Sequence, residues 1–225
     1  MPNAWCWIAM SGALAVASPV LAGEGQDQGG SGWTNGGMFG SGEQGFYATA
    51  GFPGLSAGYL RGLDDSFDLG GRFSFNYGGE GATQLSAPGL KLAADVRLRL
   101  GAGLPYALTL RVLPGIDLYF PPRFTVIDLA LPVELALAIP VMPNLLVHPS
   151  LQVPFAIGFW SGFGFSFMSL QLPFLFGGGV ELRLDRTLSV HGQLHLGPYV
   201  STIFGNAPTT DVAFDASLGL TYRLP

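Results

Sequence analysis

Charged side chains are scarce in this chain. They make up 11% of its 225 residues, against about a quarter in soluble domains, while apolar residues make up 48%. So few charges cannot cover a surface facing bulk water. The 15 acidic residues outnumber the 10 basic ones, which points away from a nucleic-acid partner. Long hydrophobic runs are also missing. Beyond residue 22 no stretch of about 18 uncharged apolar residues occurs, so no ordinary membrane-spanning helix is expected. The nearest approach, residues 125–147, contains Asp128, Glu134, Pro132, Pro140 and Pro143, and each proline inside a helix costs about 3 kcal/mol.

Cysteine is limited to Cys6, which lies in an apolar core from Cys6 to Val20. Val20, Leu21 and Ala22 follow as a small-residue cleavage pattern before Gly23, so residues 1–22 read as a secretory signal peptide. The basic residues that usually precede such a core are absent, the first in the chain being Arg61. Removal of the signal takes the only thiol with it. Disulfides, thiolate metal sites and cysteine catalysis are then excluded. Residues 23–44, rich in Gly, Ser, Gln and Asn, cannot bury enough apolar surface to fold alone and read as a flexible periplasmic tail, with a plug inside a pore as the alternative.

What the chain does have is alternation. In residues 90–100, LKLAADVRLRL, the even positions Leu90, Leu92, Ala94, Val96, Leu98 and Leu100 are apolar, while Lys91, Asp95, Arg97 and Arg99 fall on odd positions. A helix would scatter both sets around its circumference, whereas a strand separates them onto two faces. The same period recurs from residue 106 to 224. Residues 125–139, for example, set Ile127, Leu129, Leu131, Val133, Leu135, Leu137 and Ile139 against Asp128 and Glu134. One face is nearly all Leu, Val, Ile and Phe. The other mixes isolated charges with Gly, Ala, Ser and Gln, which suits a cramped interior better than a wet surface.

These features together resemble the outer-membrane β-barrels of Gram-negative-type bacteria: an export signal, no mature cysteine, and alternating strands as far as the final FDASLGLTYRLP. The last strand departs from the pattern, ending Leu224–Pro225 with Tyr222 as its last aromatic where such barrels commonly finish on one. The resemblance implies an all-β, closed antiparallel transmembrane barrel over residues 45–225, located in the bacterial outer membrane. Membrane lipid and the barrel-assembly machinery would be its partners, with no cofactor. Strands are expected near 45–52, 55–62, 66–78, 88–101, 105–119, 124–139, 145–158, 167–184, 187–200 and 210–224, with longer connections at 79–87, 159–166 and 201–209. With both ends of the chain on one side the count must be even. Ten strands fit, and eight or twelve stay open.

The alternation assigns Asp68, Arg72, Lys91, Asp95, Arg97, Arg99, Arg111, Asp117, Asp128, Glu134, Glu181, Arg183, His191, His195, Asp215 and Arg223 to the barrel interior. Arg72, Lys91, Arg97, Arg99 and Arg111 form a basic wall beside the acids Asp128 and Glu134, either lining a narrow lumen or pairing off to fill it. His191 and His195 share a face but lie about 13 Å apart along a strand, too far to share a metal. His148 and Ser150 have the His-x-Ser spacing of lipid A deacylases, which are small outer-membrane barrels, but the Asn that usually follows is Leu151 and no acid lies nearby. No phosphate loop, nucleophile elbow or calcium loop is present, and no catalytic or metal-binding residue is assigned. The expectation is a non-enzymatic envelope or adhesion-type barrel with a charged, largely plugged interior. A narrow porin-like channel and a lipid-modifying enzyme are the alternatives.

Overall fold

Every described residue of regular structure is in a strand. The structure, a computed structural model, describes residues 33, 37–78, 87–100, 106–162 and 164–225. The signal segment, most of the tail, and the connections at 79–86 and 101–105 lie outside the described residues. Twelve segments follow in order: β1 (Gln44–Phe52), β2 (Gly54–Asp64), β3 (Phe67–Asn76), β4 (Gly89–Leu100), β5 (Ala107–Val112), β6 (Gly115–Tyr119), β7 (Thr125–Met142), β8 (Leu145–Gly162), β9 (Phe165–Pro173), β10 (Leu175–Arg183), β11 (Leu188–Ile203) and β12 (Thr209–Arg223).

They close into a ten-strand antiparallel barrel. Each strand pairs with the next, and β1 completes the ring against β12, from Gly45↔Arg223 to Phe52↔Ala216. Closure matters because every backbone donor on a sheet edge must find a partner, and a ring has no edge. Two wall strands are each split into two segments. β5 and β6 both lie between β4 and β7, and the register does not change across the break: Val96↔Val112 and Ala93↔Gly115 on one side, Val133↔Val112 and Ala130↔Gly115 on the other. Pro114 has no N–H to give the ladder, but its carbonyl still accepts from Ala94 and the Leu113 N–H still reaches Pro132. β9 and β10 likewise share β8 and β11 in one register, and Phe174 between them donates to Pro198.

On the side away from residues 44 and 223, β8, β9, β11 and β12 run beyond the ends expected from the sequence, while β3 and β4 stop short of theirs. The aromatic segment 159–166, expected as a long connection, is strand up to Gly162 and again from Phe165. Its hairpin pairs Phe159↔Met168, Trp160↔Phe167 and Ser161↔Ser166. The Trp160 and Phe167 rings stack at 5.4 Å, and Gly164 takes the turn at φ 77°, a conformation open to glycine at little steric cost. Residues 51–55, GFPGL, carry the chain between β1 and β2 as a hairpin, with Ala50↔Leu55 as its last pair.

The pleat sorts side chains as the alternation requires. On β4, Lys91, Ala93, Asp95 and Arg97 are buried while Leu90, Leu92, Leu98 and Leu100 are exposed, Leu92 by 68%. On β7, Asp128, Ala130, Glu134, Ala136 and Ala138 are buried while Ile127, Leu129, Leu131 and Leu135 are exposed. Among the described residues no second layer covers the ring, so the buried side of each strand is its inside.

Candidate functional site

The interior begins with an ion cluster on β4 and β5. Asp95, fully buried, accepts from Arg97 (Nε 3.2 Å, Nη2 3.2 Å), from Arg111 (Nε 2.9 Å, Nη2 2.6 Å) and from the Tyr47 hydroxyl (2.7 Å). The two guanidinium groups lie against the Tyr47 ring, each 5.8 Å from its centroid. The ring has room because its ladder partner is Gly58, where a Cβ would lie 2.3 Å from the Tyr47 Cζ. Arg111 also faces Glu134 at 3.7 Å, and Lys91 faces Asp117 at 3.4 Å. The basic wall expected from the sequence is therefore not a free surface: Lys91, Arg97 and Arg111 meet acids of their own and adjacent strands. Arg72, half-buried, donates to Ser74. Arg99 is half-buried near the end of β4. Asp128 accepts from Gln171 at 3.4 Å.

Of the segment expected as a tail, the described residues Trp33 and 37–43 include several that enter this interior. Trp33 is buried, and its N–H donates to both oxygens of Glu181 on β10 (3.0 and 3.1 Å) while its carbonyl accepts from Arg97 on β4 (3.0 Å). Those strands face each other across the ring, so a residue bonded to both crosses the bore. Gly37 O also accepts from Arg97, and the Phe39 N–H donates to Asp68 at 2.9 Å. Arg183 and Arg223 flank the Trp33 ring at 5.4 and 5.8 Å, and Arg223 pairs with Glu43. Trp33, Phe39, Tyr47 and Leu60 form an apolar cluster inside the barrel. The sequence held a sign of this: Trp33, Met38 and Phe39 are large apolar groups in an otherwise polar segment.

The wall made by β8, β10, β11 and β12 differs in character. Its inward positions carry His148, Ser150, Glu181, His191, Gln193, His195, Asp215 and Ser217, with Gly177, Gly179 and Gly219 between them. His148 and Ser150 do not form a pair. His148 instead lies 3.8 Å from Glu181, and Ser150 Oγ lies 2.6 Å from His195 Nε2. The His191 ring covers Gly219, where a Cβ would lie 2.4 Å from its Nε2. Gln193 donates to Asp215 at 3.0 Å. Among the described residues no group of three His, Cys, Asp or Glu side chains is placed to hold a metal.

No family model and no curated protein matches the chain.

Proposed function

We propose that this protein spans a bacterial outer membrane as an integral β-barrel with a structural or envelope role, its bore closed to solutes by its own side chains and by the segment around Trp33. The observation that carries this reading is the inversion of polarity: charge is buried within the ring and oil covers its outside. Along β7 the outward apolar set runs from Ile127 to Ile139. At about 3.3 Å per residue and a tilt of about 45° this spans roughly 28 Å along the membrane normal, close to the hydrocarbon thickness. In water such a continuous belt would drive aggregation, whereas in lipid it is the required surface. Outward aromatic groups stand near both rims, Phe46 and Tyr59 at one and Phe75 and Phe159 at the other, in the positions of interfacial girdles.

The test is refolding into detergent and planar bilayers. The protein should migrate differently before and after boiling, give a β-type circular dichroism spectrum, and remain electrically silent. A helical spectrum, or solubility without detergent, would sink the membrane reading.

A narrow passive channel is the second reading. The wall of β8, β10, β11 and β12 favours it, because Ser189 Oγ, both His191 ring nitrogens, Ser217 Oγ and Thr221 Oγ1 are buried without hydrogen-bond partners among the described residues. Buried polar atoms of this kind are ordinarily hydrated. Stable unitary conductance would favour this reading over the closed barrel.

A further inference from the structure

Ser150 and His195 belong to different strands, and the fold gives them a contact of the kind used for nucleophilic chemistry. Ser150 on β8 pairs with Gly177 on β10, Gly177 pairs with His195 on β11, and His195 pairs with Asp215 on β12. The four positions make one row across the inner wall. The glycine contributes no side chain, so the serine and histidine meet over it at 2.6 Å. His195 is 1% exposed and its Nδ1 has no hydrogen-bond partner among the described residues, while the Asp215 carboxylate is next in the row. A serine bonded to an imidazole with an acid one step beyond has the order of groups that activates a hydroxyl. The row ends beside the β1–β2 turn, where Phe52 pairs with Ala216. The strands there are short, at 9 and 11 residues against 18 in β7 and β8. A small pocket at that rim touches the acid end of the row, lined by Pro53, Thr49, Arg72, Gln193, Asp215 and Ser217.

We propose that Ser150 is a nucleophile with His195 as its base, acting on small carboxylic esters. Ser150 Oγ attacks the carbonyl carbon as its proton passes to His195 Nε2. The bond to the alcohol oxygen breaks, and that oxygen takes the proton back from His195, leaving an acyl ester on Ser150. Water then attacks the acyl carbon, giving its proton to His195, which returns it to Ser150 Oγ as the acid departs. The sum is ester plus water to acid plus alcohol, with no redox change. Asp215 is a positioning residue, stabilising the imidazolium across the ladder. The inference rests on the barrel fold and not on its membrane setting.

The experiment treats the folded, heat-modifiable protein in detergent with a fluorophosphonate, followed by intact mass measurement and peptide mapping. One phosphonyl group on Ser150 is expected, with slow turnover of p-nitrophenyl acetate. Ser150→Ala should lose both, and His195→Asn should label about 10²- to 10⁴-fold more slowly. Absence of an adduct on the wild-type protein, an adduct on another residue instead of Ser150, or undiminished labelling of folded His195→Asn would overturn the proposal. The wild-type mapping decides the matter even if a variant does not fold.

Discussion

Asp95 shows what a single buried charge does in a bore this narrow. It pairs with two guanidinium groups at once, and a third donor, Tyr47, completes its set of hydrogen bonds. Removing one partner from such a group leaves the others buried and uncompensated, which costs about 3–5 kcal/mol. Asp95→Asn should therefore lower the free energy of unfolding by that order, as measured by denaturant titration of the barrel in lipid bilayers, while Asp65→Asn in the exposed turn beside β3 should change it little. A loss no larger for the buried site than for the exposed one would show that the cluster adds no stability. That Asp95, Arg97 and Arg111 point inward was legible in the sequence, because inward facing follows from a period of two. Their convergence was not. Which charges meet depends on register between strands, and a single sequence leaves register unspecified. Ser150 and His195 illustrate the same limit, since only the ladder places Gly177 between them. The spacing of Ser150 and His148 drew attention to a pair that the pleat leaves apart.

At the scale of elements, the β11 strand offers a direct check on facing. Leu194, 61% exposed, and Gln193 are adjacent on opposite sides of the pleat. If the outside meets hydrocarbon, Leu194→Arg should destabilise the barrel by about 2–4 kcal/mol near the midplane, and Gln193→Arg should be the milder change. Equal damage from both, read from unfolding curves in bilayers, would count against a lipid-facing belt. The β10–β11 turn is a separate case. Asp185 accepts from the N–H and hydroxyl of Thr187 and from the N–H of Leu188, and these bonds hold its carboxyl below its ordinary pKa. A carboxylate whose pKa falls on folding adds stability that is present at neutral pH and disappears as pH drops through the lowered value. Asp185→Asn should therefore unfold more readily than wild type at pH 7, with the difference shrinking in acid. A gap independent of pH would place its origin elsewhere. Strand ends were the least legible elements, since residues 159–166 are rich in glycine, which signals turns, although their aromatics pair in register.

The whole molecule is a ring around a segment of itself. Trp33 touches β4 and β10 at once and lies between Arg183 and Arg223, so its removal should leave a gap lined by positive charge. In planar bilayers the double variant Trp33→Ala, Phe39→Ala should show unitary conductance where the wild type is silent, with a preference for anions that falls when Arg97 and Arg183 are changed to Gln. Silence of a folded double variant would mean that the side-chain network closes the bore without the segment.

The seam between β1 and β12 joins the first strand of the barrel to the last. No order of local steps can therefore finish the structure early: until β12 is in place, β1 and whichever strand was added most recently both present open edges. An unfinished barrel is thus a sheet with two reactive margins, prone to pair with its own copies. Its completion depends on the contact of longest sequence separation, which is the slowest kind to form. The feature that makes the finished molecule edgeless thus makes every intermediate adhesive, and places the risk of misassembly in the interval before the last strand meets the first.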